Sequence, residues 1–228
     1  MCGRYNIIPD AEAWVTLFGL SEEIAKTISN LDSNYNVAPT QDVPIIRICK
    51  GSGERELVWA RWGLVPFWAK DIKSSHRMIN ARAETVADKP SFRSAFQKRR
   101  CLIPVNGFYE WRKHGSIKQP YLIRMKNAAP FALAGLWEQW LNPEDKTTLE
   151  SCTIIVTEAN KFMSRIHDRM PVILNPNNYN SWLDPLAGNL SSLLTPCPGD
   201  WLDAFAVSTY VNSPRNNDER CLKQVEII

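Results

Sequence analysis

The chain has 228 residues, 44% of them hydrophobic and 22% charged, with a formal net charge of +3. That is the balance of an ordinary globular protein with enough chain to bury a core without metal or disulfide support. It excludes a collagenous, low-complexity or membrane-spanning polypeptide, since no stretch approaches the roughly 20 apolar residues of a span. The charge is too mild to announce a nucleic-acid protein by itself, so any anionic partner must be read from local clusters.

In chain order, "PDAEAWVTLFGL" predicts a short helix capped by Asp10 and ended by Gly19, with Trp14, Leu17 and Phe18 on one face. "SEEIAKTISN" predicts a second, with Ser21 as its cap. "VPIIRIC" and "ELVWAR" then read as strands joined across "KGSGER" as a hairpin, and "CLIPVNGFYEW" and "PYLIRM" repeat the arrangement around "RKHGSIKQ". "FALAGLW", "CTIIVT" and "AFAVST" read as further short strands. Helical pieces are expected at "NKFMSRI" and near "NYNSWL" and "NLSSLL". The 15 Pro are spread along the chain, which favours short strands and turns over a helical bundle. No repeat or linker divides it, and the expectation is one α+β domain over 1–228, dominated by antiparallel strands.

The six cysteines stand at 2, 49, 101, 152, 197 and 221 and show no metal-like pairing. The N-terminus carries no long apolar run of the secretory kind, so the expected setting is cytoplasmic with reduced thiols. Most of the cysteines lie in apolar runs, where the residue acts as a small core side chain. Cys2 does not. At a mobile terminus it is either incidental or, once Met1 is removed, a free amine and a thiol on adjacent carbons. The amine titrates at about pH 8 and the thiol at about pH 8.5, so both are partly nucleophilic at neutral pH, and a 1,2-aminothiol closes on an aldehyde to a thiazolidine ring.

Four further segments carry candidate chemistry. In "GFYEW", strand alternation puts Phe108 and Glu110 on one face and Tyr109 and Trp111 on the other. Glu110 is then either a carboxyl with raised pKa among aromatic rings or an edge residue in water. In "MINARAET", Asn80, Arg82 and Glu84 would share a polar face, suited to a phosphate or carbonyl oxygen or simply solvated. In "RIHDRMPV", His167 would sit at the C-terminus of the "NKFMSRI" helix, where the dipole favours its cation, or merely cap it. His76 and His114 lie in polar stretches and read as solvated, so the three histidines form no metal site. "WGLVPFWAKDIKSSHR" sets Trp62, Phe67 and Trp68 before Lys70, Lys73 and Arg77, a pattern for stacking unpaired bases beside phosphates. "QKRR", "EWRKH" and the loop "VNSPRNNDER" add cations.

Taken together, "MCGR" at 1–4, "YNVAP" at 35–39, "WGLVPFW" at 62–68, "INARAET" at 79–85, "CLIPVNGFYEW" at 101–111, "IHDRMPV" at 166–172 and "VNSPRNND" at 211–218 resemble the SRAP family. These are the SOS response-associated peptidase or abasic-site processing proteins, and the match spans nearly the whole chain. The resemblance implies curved antiparallel sheets with short peripheral helices and a basic cleft around the terminal cysteine. It implies a protein that binds single-stranded DNA at an abasic site and crosslinks to the open-chain sugar through Cys2, with lyase and crosslink-reversal activities on the same imine. By the same resemblance, Glu110 deprotonates the amine, His167 moves protons, and Asn80 positions Cys2 and the sugar. Arg4 and Arg82 grip phosphates, with Thr157 a further contact; Phe67, Trp68 and Trp111 stack on flanking bases; Asn36 shapes the pocket floor. A monomer with no cofactor, metal or membrane partner is implied. The family name keeps a second reading open, a thiol peptidase or autopeptidase using Cys2, Glu110 and His167. A non-catalytic single-stranded DNA-binding module is a third.

Overall fold

The computed structural model describes residues 2–73, 75–115, 117–188 and 190–226, apart from the side chain of His114. Strand β1 (Arg4–Ile7) begins two residues after Cys2. Helix α1 (Ala11–Phe18) follows from its predicted caps: extended Asp10 accepts from the Ala13 amide at 3.0 Å, and Gly19 ends the helix at a φ of 57°. Trp14 and Phe18, four residues apart, meet edge to face with centroids 5.8 Å apart on its buried side. Helix α2 (Glu22–Ser29) starts after Ser21, but the Ser21 hydroxyl makes no capping bond. Glu22 and Glu23 in the first turn complement the exposed amides instead.

The remaining elements are β2 (Asn34–Val37), β3 (Asp42–Ile48), β4 (Arg55–Trp62), β5 (Asn80–Arg82), α3 (Arg93–Lys98), β6 (Arg100–Val105), β7 (Gly107–His114), β8 (Ile117–Met125), β9 (Phe131–Leu141), β10 (Thr148–Glu158), β11 (Arg169–Pro171), α4 (Tyr179–Leu183) and β12 (Leu202–Ala206). They form two sheets. One has five antiparallel strands in the order β12-β8-β7-β1-β2. In the other, β10 pairs with both β9 and β4, so β10-β4-β3-β6-β9 closes into a ring. Closure removes the exposed edges that an open sheet would leave. The C-terminal half of β10 runs past the ring and pairs with β5 in parallel and β11 in antiparallel.

The apolar strands behave as predicted, including the β3–β4 hairpin. "CLIPVNGFYEW" differs. It is two strands in two sheets, β6 in the ring and β7 in the open sheet, and only β7 forms the predicted hairpin with β8. The switch lies at Asn106, whose amide donates to Asn6 O at 3.0 Å and whose Oδ1 accepts from Ile8 N at 2.7 Å. A continuous apolar run carries no mark of which sheet each half joins.

"NKFMSRI" also differs. It makes one 3₁₀ turn, Met163–Arg165, instead of a helix. Asn160 holds that turn through its Oδ1 on the Met163 amide, and the chain must reverse into β11 within a few residues. So short a turn has no macrodipole of consequence, and the predicted dipole effect on His167 falls away. "NYNSWL" contains α4, while "NLSSLL" contains only the 3₁₀ turn Ser191–Leu193. Helix α3 was not signalled by any cap.

Candidate active site around Cys2

Cys2 is fully buried, not frayed. The reason is the place of β1 between β2 and β7 in mid-sheet, which draws the residues just before it into the core. The Asn80 side-chain amide donates to the Cys2 carbonyl at 2.9 Å. Burial pushes the Cys2 thiol far above its ordinary pKa, and the charge of nearby Glu110 pushes the same way.

Glu110 arrives from β7 by the predicted alternation. Phe108 packs into the main core, while Tyr109 and Trp111 join a second apolar cluster on the other face. Glu110 is 2% exposed, and burial raises the pKa of its carboxyl. His167 Nε2 stands 3.9 Å from Glu110 Oε2. The Arg169 amide points at His167 Nδ1, 3.0 Å away, which assigns the proton of the neutral ring to Nε2, towards Glu110. Asp168 Oδ1 lies 2.9 Å from the same Nδ1, a bond available only when that nitrogen is protonated. The imidazole thus has a partner in either protonation state.

Strand β5 supplies Asn80 and Arg82 in register with Ile154 and Val156 of β10, and Ala81 between them is fully buried. A small side chain lets β5 sit close against the ring. The predicted polar face stops there: Glu84 lies beyond the strand and pairs with Arg169. Arg82 is exposed beside the site. Asn36 on β2 is buried, with its Nδ2 donating to three carbonyls of the segment 211–216. Arg4 donates to Asn36 Oδ1 at 2.8 Å and to Val211 O at 3.0 Å. Half-buried Trp111 donates through Nε1 to Asn212 Oδ1 at 2.8 Å. Asn212 was singled out by no sequence signal beyond its place in "VNSPRNND". Thr157 is buried on β10 opposite Met170.

The aromatic platform is narrower than predicted. Phe67 and Trp68 are 57% and 54% exposed, directly after buried Pro66, with Lys70, Lys73 and Arg77 exposed further along. Trp62 instead faces the core: its Nε1 donates to Ile79 O at 2.9 Å and its ring meets Tyr5 at 4.9 Å. The residue before Gly63 belongs to β4, and the strand's alternation turns its ring inward. "QKRR" adds less cation than expected, because Arg99 pairs with Glu138 at 2.8 Å and buried Arg100 donates to the Phe96, Gln97, Trp182 and Asp184 carbonyls. His76 is exposed, as predicted. Among the described residues there is no group of three or more His, Cys, Asp or Glu placed to hold a metal, and no helix long and apolar enough to cross a membrane.

This geometry holds Cys2 beside a buried acid, with an imidazole next to that acid. The family profile described as SOS response associated peptidase (SRAP) matches residues 1–214. The chain is 43% identical over 227 residues to the abasic site processing protein YoqW of Bacillus subtilis, covering 98% of this chain and 99% of that one. It is 32% identical over 221 residues to the abasic site processing protein HMCES of Xenopus tropicalis, covering 84% of this chain and 66% of that one. A crystal structure of a protein from Bacteroides thetaiotaomicron superposes with a TM-score of 0.85 at 31% identity, covering 98% of this chain and all of that one. The chain belongs to the SRAP family.

Proposed function

We propose that this protein recognises abasic sites in single-stranded DNA and joins them covalently through Cys2 once Met1 has been removed. The observation that carries the reading is the convergence of Asn80, Glu110 and His167 on a buried Cys2. It is supported by the relatives named abasic site processing proteins.

Chemistry suggests the order of steps. A thiol held protonated by burial is a poor first nucleophile, so the α-amine of Cys2 attacks first. Glu110, whose carboxyl is raised towards neutrality, takes the amine proton. The amine nitrogen bonds to C1′ of the open sugar, the aldehyde oxygen leaves as water, and an imine forms. The thiol then adds across that imine: sulfur bonds to carbon, its hydrogen passes to nitrogen, and the thiazolidine closes. His167, with a partner for each protonation state, carries the proton needed to open the sugar and to reverse the ring. Loss of the C2′ proton from the imine would instead expel the 3′ phosphate, which is the lyase branch. Arg82, Phe67, Trp68 and Trp111 serve in this reading as the DNA contacts, with Thr157 lending a neighbouring buried wall.

The peptidase reading asks the Cys2 thiol to attack as a thiolate. Burial and Glu110 both oppose that form. The test is incubation with single-stranded DNA holding one abasic site, followed by denaturing gels and intact mass for wild type, Cys2→Ala and a preparation with its α-amine acetylated. A heat-stable adduct, one water lighter than the sum of its parts and found only with free wild-type Cys2, supports the proposal. No adduct from protein whose Met1 is demonstrably absent overturns it.

A further inference from the structure

The segment Val211–Asn216 runs from the end of the 3₁₀ turn Thr209–Asn212 into a loop, and its carbonyls have no strand partner to satisfy them. Side chains from two strands bond several of them instead. Arg4 on β1 donates through Nη1 to Val211 O at 3.0 Å and through Nη2 to Asn212 O at 3.3 Å. Asn36 on β2 donates to Val211 O, Ser213 O and Asn216 O at 3.1, 2.9 and 2.8 Å. The two side chains are themselves joined, Arg4 Nη1 to Asn36 Oδ1. Trp111 on β7 then leans on the segment through Asn212 Oδ1.

Two arginines stand in opposite situations here. Arg4 is half-buried, and both terminal nitrogens of its guanidinium are committed to acceptors inside the protein. Arg215 is exposed, and its side chain makes no hydrogen bond or ion pair among the described residues. Only its backbone is held, by its amide on Ser213 Oγ at 3.4 Å, directly after Pro214. A planar five-donor fork suits bonding several carbonyls at once, which a lysine ammonium on a flexible stem cannot copy. A free guanidinium on a pre-ordered segment suits a phosphate, because little entropy remains to be lost on binding.

We infer that Arg4 is a positioning residue: with Asn36 it shapes segment 211–216, which orients Trp111 through Asn212 and presents Arg215 as a phosphate contact. This departs from the phosphate grip that the family resemblance implies for Arg4, and it rests on the DNA reading proposed above.

The test is the salt dependence of binding. Single-stranded DNA carrying a tetrahydrofuran abasic analogue has no aldehyde, so anisotropy reads reversible binding alone. Removing one charged group from a phosphate should reduce the slope of log K against log salt by about 0.7. Arg215→Gln is expected to lower the slope by that amount. Arg4→Lys and Arg4→Met are both expected to weaken binding several-fold at unchanged slope, with lysine giving no rescue. Asn212→Ala is expected to follow them, and Arg4→Met with Asn212→Ala to be no worse than Arg4→Met alone. A slope reduced in Arg4→Met but kept in Arg4→Lys would make Arg4 the phosphate charge and overturn the inference. So would an unchanged slope in Arg215→Gln. If the Arg4 variants fold poorly, Asn212→Ala and Arg215→Gln still decide, since wild-type affinity in the former removes the link to Trp111. Crosslinking of natural abasic DNA by the same wild-type preparation keeps the two readings apart. Adverse slopes with intact crosslinking overturn only this inference, whereas no binding and no crosslinking overturn the DNA reading with it.

Discussion

The Asn80 side chain holds the Cys2 carbonyl at 2.9 Å, tying β5 to the residue that leads into β1. The two are 78 positions apart, and they meet because β5 pairs with the extension of β10 beyond the ring. One hydrogen bond thus helps set where Cys2 stands. Asn80→Ala leaves that carbonyl without its donor, at a cost of about 1–3 kcal/mol if felt in the transition state. That corresponds to roughly a 5- to 150-fold slower crosslink. The expected signature is a slow rate at saturating abasic DNA with near-normal affinity for the tetrahydrofuran analogue. A normal rate would remove Asn80 from the positioning of Cys2.

Glu110 supplies a prediction in pH. Burial raises its folded-state pKa above the unfolded value of 4.5. The protonated acid therefore favours the folded state: this contribution is complete below about pH 4.5 and is lost as pH rises through the raised value. Glu110→Gln, a standing copy of the protonated form, should melt higher than wild type at pH 7 and show no advantage near pH 4. Its crosslinking rate should be low and should lack the acidic limb of the wild-type pH–rate profile. A wild-type limb at the ordinary carboxylate range would show that Glu110 is not the group titrating.

Reactivity towards alkylating agents should run opposite to proximity to the chemistry. Hydrogen bonds from the Ser52 and Gly51 amides lower the pKa of half-buried Cys49, while burial raises those of Cys2, Cys101, Cys152 and Cys197. Brief iodoacetamide treatment of the native protein should label Cys49 first, and peptide mapping reads the order. Cys2 labelled ahead of Cys49 would mean that its thiol is neither buried nor held protonated.

Phe67 and Trp68 separate binding from stability. Both are more than half exposed, so their replacement by alanine should leave the melting temperature nearly unchanged. Each should weaken single-stranded DNA binding by about 1–3 kcal/mol if it stacks a base. Trp62→Ala should do the reverse and destabilise the fold, since its ring is wholly inside. Unaltered affinity in both surface variants would remove the stacking role.

Gly63 joins the core tryptophan to that exposed pair. Its φ is +131°, and a Cβ there would lie 2.7 Å from the Ser75 carbonyl oxygen. Neither the backbone conformation nor the backbone atom can yield cheaply. Gly63→Ala should cost about 2–4 kcal/mol in urea unfolding. A loss below about 1 kcal/mol would show that residues 63–75 can shift.

The sequence by itself determined the longer apolar strands, the caps of α1, the face on which Glu110 lies, and the blocks that place the chain near the SRAP family, but not the short strands β1, β2 and β11. Each of these is local, readable from periodicity, from capping chemistry or from runs of adjacent residues. The burial of Cys2, the split of "CLIPVNGFYEW" at Asn106 and the inward turn of Trp62 were decided only by tertiary structure. The same holds for the meeting of Glu110 with His167 and the clasp of Arg4 on residues more than 200 positions away. Strand pairing is chosen by the packing of whole faces, and an apolar run fits either sheet equally well until its neighbours are in place. Arg4 and Arg215 show the consequence: both are arginines in polar motifs, and only the folded chain determines that Arg4 commits its donors to the protein while the exposed Arg215 side chain does not.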